Sequence, residues 1–158
     1  MQNTTLCYIE KDGKYLMIFR NKKENDINEG KYIGIGGHFE EGESPYDCVI
    51  REVWEETALT IENPVYRGIV TFVSDSAESE QMHLFTAPDF FGELGECNEG
   101  ELRWIDKSSL DEIPMWSGDI LFLKMLDEGS DFFSMKLVYE GNTLAEYYLN
   151  GQRQPLNQ

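Results

Sequence analysis

Basic residues are scarce in this chain. Thirteen Lys and Arg stand against 30 Asp and Glu, for a formal net charge of −17. So acidic a chain repels a nucleic-acid backbone and an anionic membrane, which argues against a polynucleotide or bilayer partner. It does not bar a small phosphate ligand, provided that a metal and a few local basic groups supply positive charge. Cysteine is sparse too. Cys7, Cys48 and Cys97 are odd in number and far apart, and no Cys-x-x-Cys occurs. That excludes a disulfide framework and fits a reduced, cytoplasmic protein. No stretch approaches the roughly 20 apolar residues of a membrane span. Met1–Thr5 is polar, and no apolar run of the kind found in a secretory leader follows it. Repeats and dividing linkers are also missing, so residues 1–158 are expected to form one domain. What is present argues for a packed core: 41% hydrophobic and 13% aromatic residues are too many for a disordered chain.

One stretch organises the rest. Gly36-Gly37-His38-Phe39-Glu40-Glu41-Gly42-Glu43 runs through Ser44-Pro45 into Arg51-Glu52-Val53-Trp54-Glu55-Glu56. Ser44 can cap orphan amides and Pro45 suits a first turn, so a helix is expected to begin there. At about 100° per residue, Glu55 and Glu56 fall roughly −60° and +40° from Glu52, which puts three carboxylates on one face. Val49, Ile50, Val53, Trp54 and Thr57 form another arc, expected to pack on a core. A Glu-rich helix often carries nothing more than a solvated acidic face. Yet Glu52 and Glu56, as like charges at i,i+4, weaken the helix unless something neutralises them. A hard divalent cation such as Mg2+ or Mn2+ would do so. The glycines permit a sharp turn that leaves backbone groups beside the same ion.

Gly37, Glu43, Arg51, Glu52, Val53, Glu55, Glu56 and Leu59 occupy the fixed positions of the Nudix box, so the chain resembles the Nudix hydrolases. The one departure is Ala58, where the box has glycine. A left-handed alanine costs roughly 1–2 kcal/mol, so the helix is expected to end with a different winding there.

The remaining chain supplies the sheet. Thr4–Ile9, an Asp12-Gly13 turn and Tyr15–Phe19 form a hairpin signal. Asn21–Gly30 reads as a polar surface loop and Lys31–Ile35 as a short strand. Val65–Val73, Gln81–Ala87 and Glu101–Ile105 are expected strands, with Phe90–Gly100 irregular. Ser108–Glu112 reads as one helical turn and Ile120–Leu126 as a second helix. Phe132–Tyr139 and Leu144–Leu149 form a second hairpin, followed by a frayed tail over Asn150–Gln158. The lone histidines, His38 and His83, read as solvated or strand-surface residues. Strands interleaved with two helices predict an α/β fold, a mixed sheet between helices. The Nudix resemblance implies the same α/β/α sandwich, with a loop–helix–loop catalytic motif.

The resemblance further implies metal-dependent hydrolysis of a nucleoside diphosphate linked to another group. Glu52, Glu55, Glu56 and a carbonyl of Gly36 or Gly37 would hold Mg2+ or Mn2+. Arg51 would orient a carboxylate, and Glu43 would support the loop. Glu99, with Glu101 and Glu96 as rivals, would add a fourth acid; either Glu52 or Glu99 would be the general base. Ile113-Pro114, Trp116, Asp119 and the terminal aromatic hairpin are similar to the oxidised purine nucleoside triphosphatases, which cleave 8-oxo-dGTP to the monophosphate and pyrophosphate and so clear the nucleotide pool ahead of DNA repair. That likeness implies that Trp116 stacks on the base, that Asp119 reads its edge, and that Thr5, Arg20 and Ile33 line the same pocket. Trp116 as core and Asp119 as a helix cap are the structural alternatives. Vertebrate members carry asparagine at Ile33 and paired aspartates at Gly118-Asp119, so base choice stays open. ADP-ribose or a dinucleoside polyphosphate is an alternative substrate. A non-catalytic nucleotide sensor is an alternative role, and the chain would act as a monomer or a homodimer.

Overall fold

The computed structural model describes residues 1–156. Its framework is one nine-stranded mixed sheet with a helix on each face. Strand β1 (Gln2–Lys11) turns at Asp12-Gly13 into β2 (Lys14–Phe19), and both turn residues have positive φ, as a tight turn between strands requires. After the loop come β3 (Tyr32–Ile33), helix α1 (Pro45–Thr57), β4 (Thr60–Glu62), β5 (Val65–Ser74), β6 (Glu80–Ala87), β7 (Asp89–Phe91) and β8 (Glu101–Asp106). A 3-10 turn over Lys107–Glu112 leads to α2 (Asp119–Asp127), and β9 (Phe133–Glu140), β10 (Thr143–Leu149) and β11 (Gln152–Gln154) complete the order. The sheet runs β11-β10-β9-β5-β6-β1-β2-β3, with β8 on β2. The pairs β1–β6 and β5–β9 are parallel and the others antiparallel. Among the described residues no helix is long and apolar enough to cross a membrane.

Alternation along β1 sends its side chains to two cores. Tyr8 packs with Tyr15, Met17, Phe122, Leu123, Met135 and Leu137 beneath α2. Cys7 and Ile9 pack with Ile18, Val49, Val53, Leu59 and Phe85 beneath α1. The expected α1 arc is narrower than its sequence pattern. Cys48, Val49, Val53 and Thr57 are buried, whereas Ile50 and Trp54 are exposed, because they lie one residue, about 100°, beyond the Val49–Val53–Thr57 row.

Several boundaries differ from the sequence reading. Lys31–Ile35 keeps ladder pairing only at Tyr32 and Ile33; Ile35 makes an isolated bridge to Cys7, and His38 one to Thr4. These bridges lay the glycine loop along the edge of β1, directly under α1. Part of the segment expected to be irregular pairs as β7 with β4, in a small separate sheet. Gln152–Gln154, expected to fray, pairs with β10 as β11, and Asn157 and Gln158 of that tail lie outside the described residues. At the end of α1 the expected rewinding does not occur. Ala58 itself takes the left-handed conformation (φ 64°, ψ 10°), and its N–H caps Trp54 O at 2.8 Å. The turn is held from outside: Gly95 N–H donates to Thr57 O, Thr57 Oγ1 donates to Val53 O, and Leu59 N–H donates back to Thr57 Oγ1.

Candidate active site

Helix α1 starts as its sequence dictates. Ser44 accepts from Asp47 N–H while Asp47 accepts from Ser44 N–H, a reciprocal capping box with Pro45 in the first turn. This fixed start sets the phase that brings Arg51 back over the preceding loop. The guanidinium donates two bonds to Glu43 (2.7 and 2.8 Å), one to Glu52 (2.8 Å), one to Glu55 (3.0 Å) and one to His38 O (2.9 Å). Bidentate pairing of this kind fixes geometry as well as charge. It holds the Glu43 carboxyl below its usual range and, through Glu43 first, holds the Arg51 proton more firmly still. Glu43 in turn accepts from Glu40 N–H, closing the loop.

The glycines are required by proximity. A methyl group on Gly36 would lie 1.8 Å from Thr5 O, and one on Gly37 would lie 2.5 Å from the Glu52 carboxyl carbon. Only glycine lets this loop run between β1 and Glu52. Gly37 O accepts from Thr5 N–H and from the Cys48 thiol, so it is engaged toward β1.

The acids around Arg51 are unequal. Glu55 is half exposed. Burial, partly offset by Arg51, raises Glu52; burial, partly offset by a bond from Cys97, raises Glu56, and Glu99 acts on both as a like charge. The Cys97 thiol donates to Glu56 at 2.8 Å, and burial and that acid push it up to about 11. Glu99 is bonded to Arg20 at 2.8 Å. Among the described residues, no three acidic, His or Cys groups converge as a ready-made metal site. Glu55 turns to Arg51, Glu56 to Cys97 and Glu99 to Arg20. The donor chemistry nonetheless fits a hard divalent cation, since every candidate ligand is a carboxylate or carbonyl oxygen and the group is crowded with like charge. Glu52, Glu55, Glu56 and Glu99 are the residues that could hold it, beside the loop that Gly37 packs on Glu52.

The base-side residues lie partly elsewhere. Trp116 is buried, 4% exposed, with its ring edge-on to Phe72 and Tyr139, and the Lys31 ammonium sits 4.6 Å over its centroid. A base could stack there only after Lys31 swings away. Asp119 opens α2 without capping it. Buried, with Lys31 as the opposing charge, its carboxyl is pushed up to about 8. Ile33 packs against the same core as Trp116. Thr5 and Arg20 are not brought together with them. Thr5 Oγ1 meets Cys48 Sγ on the α1 face, and Arg20 bridges Asp26 and Glu99. Two cavities are lined by other residues: one of about 200 Å3 between Lys107–Asp111 and α2, and an open cleft of about 650 Å3 at the Asp12-Gly13 turn.

The residue pattern and the fold meet in one family, for residues 2–126 match the NUDIX domain model. The chain is a Nudix hydrolase. It is 33% identical over 158 residues to the uncharacterized Nudix hydrolase YvcI of Bacillus subtilis, covering 96% of each chain. It is 27% identical to the oxidized purine nucleoside triphosphate hydrolase of Danio rerio, covering 92% of each. The mutator MutT protein of Bacillus halodurans superposes with a TM-score of 0.85 at 28% identity, covering 95% of this chain and 98% of that one. Within this Nudix frame, three residues that sequence reasoning did not single out contact the candidates: Cys97 donates to Glu56, Asp26 accepts from Arg20, and Asn28 accepts from the Trp116 indole. Only a scan of polar residues in the two loops, without regard to spacing, could have raised them.

Proposed function

We propose that this Nudix hydrolase is a single-domain, metal-dependent pyrophosphohydrolase. It would cleave a nucleoside triphosphate with water to the monophosphate and pyrophosphate, preferring oxidised purines such as 8-oxo-dGTP. The observation that carries the reading is Arg51 joining Glu43, Glu52 and Glu55 at the turn of a glycine loop packed on Glu52. The relationship to the Danio rerio enzyme supports the substrate class.

In this reading Glu52, Glu55, Glu56 and Glu99 hold Mg2+ or Mn2+, with Gly36 O assisting. When bound, the cation offsets phosphate charge and makes water easier to deprotonate. Arg51 keeps the carboxylates oriented as they exchange partners. Water attacks phosphorus, its proton passes to Glu52 or Glu99, and the phosphoanhydride bond breaks toward pyrophosphate. On the other face, a carboxyl raised as Asp119 is can donate as well as accept a hydrogen bond at neutral pH, which suits reading the edge of a purine. Trp116 would supply the stacking face once Lys31 is displaced. The burial of Trp116 beneath Lys31 weighs against base stacking there and so leaves a second reading in play, hydrolysis of a nucleotide conjugate such as ADP-ribose or a dinucleoside polyphosphate.

The deciding experiment measures products over a panel of 8-oxo-dGTP, dGTP, ADP-ribose and diadenosine polyphosphate with Mg2+. Pyrophosphate plus monophosphate released fastest from 8-oxo-dGTP is the expected result. Preferential cleavage of ADP-ribose would replace the first reading with the second.

A further inference from the structure

The loop between β2 and β3 does more than connect them. Arg20 is 8% exposed, and the Asp26 side chain is 5% exposed although Asn25 and Ile27 on either side lie open to solvent. Arg20 Nε donates to Asp26 Oδ2 and Arg20 Nη1 to Glu99 Oε2, both at 2.8 Å. Asp26 Oδ1 accepts from Asn28 N–H at 3.1 Å, and Asn28 Oδ1 accepts from Trp116 Nε1 at 2.7 Å. The indole can only donate, which fixes the amide orientation. The loop base is tied as well, with Arg20 N–H donating to Lys31 O and Gly30 N–H to Arg20 O. A continuous polar chain therefore runs from Glu99 through Arg20, Asp26 and Asn28 to Trp116.

A buried ion pair is a poor source of stability, because desolvation offsets most of its attraction; its better-attested use is to specify one geometry. Burying Arg20 and Asp26 in a loop free to be solvated makes sense on those terms. We propose that Asn21–Gly30 is a strap coupling the position of Glu99 to that of Trp116, and that Asp26 and Asn28 are positioning residues for the reaction. A carboxylate drawn toward a cation pulls on Arg20, then on Asp26, and through the Asn28 backbone on the amide that holds the indole. The coupling is reciprocal, so fixing the base on Trp116 also fixes Glu99. Its consequence for turnover rests on the proposed function, in which Glu99 and Trp116 serve opposite ends of one nucleotide.

The test is arranged so that the strap and the substrate fail separately. In the full chain, Trp54→Phe with Trp104→Phe leaves Trp116 as the one indole. Its emission is recorded with and without Mg2+ and without nucleotide, while calorimetry follows Mg2+ binding. A Mg2+-dependent emission change is expected in this parent. It should be lost in Asp26→Ala and in Asn28→Ala, and kept in Asn28→Asp, which retains the acceptor. Asp26→Asn, which keeps the shape and removes the charge, must weaken the change if Asp26→Ala does not fold. No emission change in the parent, or one that survives loss of Asp26, overturns the strap. Kinetics on 8-oxo-dGTP give the second readout. Asn28→Ala should raise KM roughly five-fold at nearly constant kcat, the worth of one neutral hydrogen bond, with rescue by Asn28→Asp. Failure to cleave 8-oxo-dGTP sinks the substrate reading and leaves the emission result intact.

Discussion

The two faces of the sheet place acids in opposite settings. On the α1 face, Glu43, Glu52 and Glu55 share one guanidinium and lie within reach of solvent. On the α2 face, Asp119 is buried among aromatic residues with only Lys31 acting against its desolvation. The first arrangement gathers several carboxylates on one shared arginine near the surface, where an incoming cation would compete with that arginine for them. The second keeps a carboxyl protonated and fixed, so that it presents a hydrogen rather than a charge. Under the proposed function, charge would be handled on one face and hydrogen-bond pattern on the other, as cleavage of a polyphosphate bearing a purine would require.

The largest expected effect tests the charged face. Glu56→Gln keeps the acceptor for Cys97 and removes the charge, and it should lower kcat/KM roughly a hundred- to a thousand-fold without lowering the melting temperature. Near-wild-type turnover would remove Glu56 from the ligand set. Wild-type turnover should also climb from about pH 6 to pH 9, since the attacking water must lose a proton; burial, which raises Glu52 and Glu56, acts in the same direction. A flat profile would break the assignment of charge work to this face.

Trp116 comes next, and here the structure revises the sequence expectation. A ring 4% exposed between Phe72 and Tyr139 is core as well as candidate platform. Trp116→Ala should cost about 3–5 kcal/mol of stability, so a raised KM in that variant proves little. Trp116→Phe keeps a stacking face and loses the bond to Asn28. A modest rise in KM with a small drop in melting temperature is expected. An unchanged KM for every nucleotide would return Trp116 to a purely structural role.

Asp119→Asn sharpens the contrast by pH. Ordinary aspartate titrates near 3.8 and Asp119 at about 8. Below about pH 4 folded and unfolded chains both carry the proton. Between these values only the folded chain does, so stability falls as pH rises, and above about pH 8 the full penalty is in place. Asparagine has no such titration. The stability of the variant relative to wild type should therefore grow from about pH 5 to pH 8 by an amount on the order of a few kcal/mol. Parallel melting curves across that range would mean that Asp119 is ionised in the folded protein. The ratio of kcat/KM between 8-oxo-dGTP and dGTP should shift as well, because the amide cannot lose its donor.

The same contrast explains what sequence could reveal. Glu43, Arg51, Glu52 and Glu55 lie close together in the chain, so loop and helix geometry alone brings them together. The partners supplied from elsewhere in the chain are distant in sequence: Arg20 and Glu99 are separated by 79 positions, Asn28 and Trp116 by 88, and Glu56 and Cys97 by 41. No local period encodes such pairs. Thr5 shows the limit within a correctly read strand, where a likeness placed it in the base pocket and the alternation of β1 turned it to Cys48. The three-residue strands β4 and β7 escaped because each is too short for alternation to register.

Ala58 carries the smallest prediction. It sits at the end of the charged face, where the family pattern has glycine, and it accepts a left-handed backbone at φ 64°. That conformation costs a non-glycine residue roughly 1–2 kcal/mol, while glycine gives back roughly 0.5–1 kcal/mol through its freer unfolded chain. The side chain is exposed, so its removal sacrifices little packing. The cap bond from its N–H to Trp54 O and the bond from Gly95 to Thr57 O involve backbone alone and survive the change. Ala58→Gly should therefore stabilise by about 0.5–1 kcal/mol, or about 1–4 °C in melting temperature for a chain of this size. Glu52, Glu55 and Glu56 precede the turn, so kcat should hold. A lower melting temperature would show that the Thr57 and Gly95 bonds already offset the strain, and that alanine earns its place by stiffening the unfolded chain.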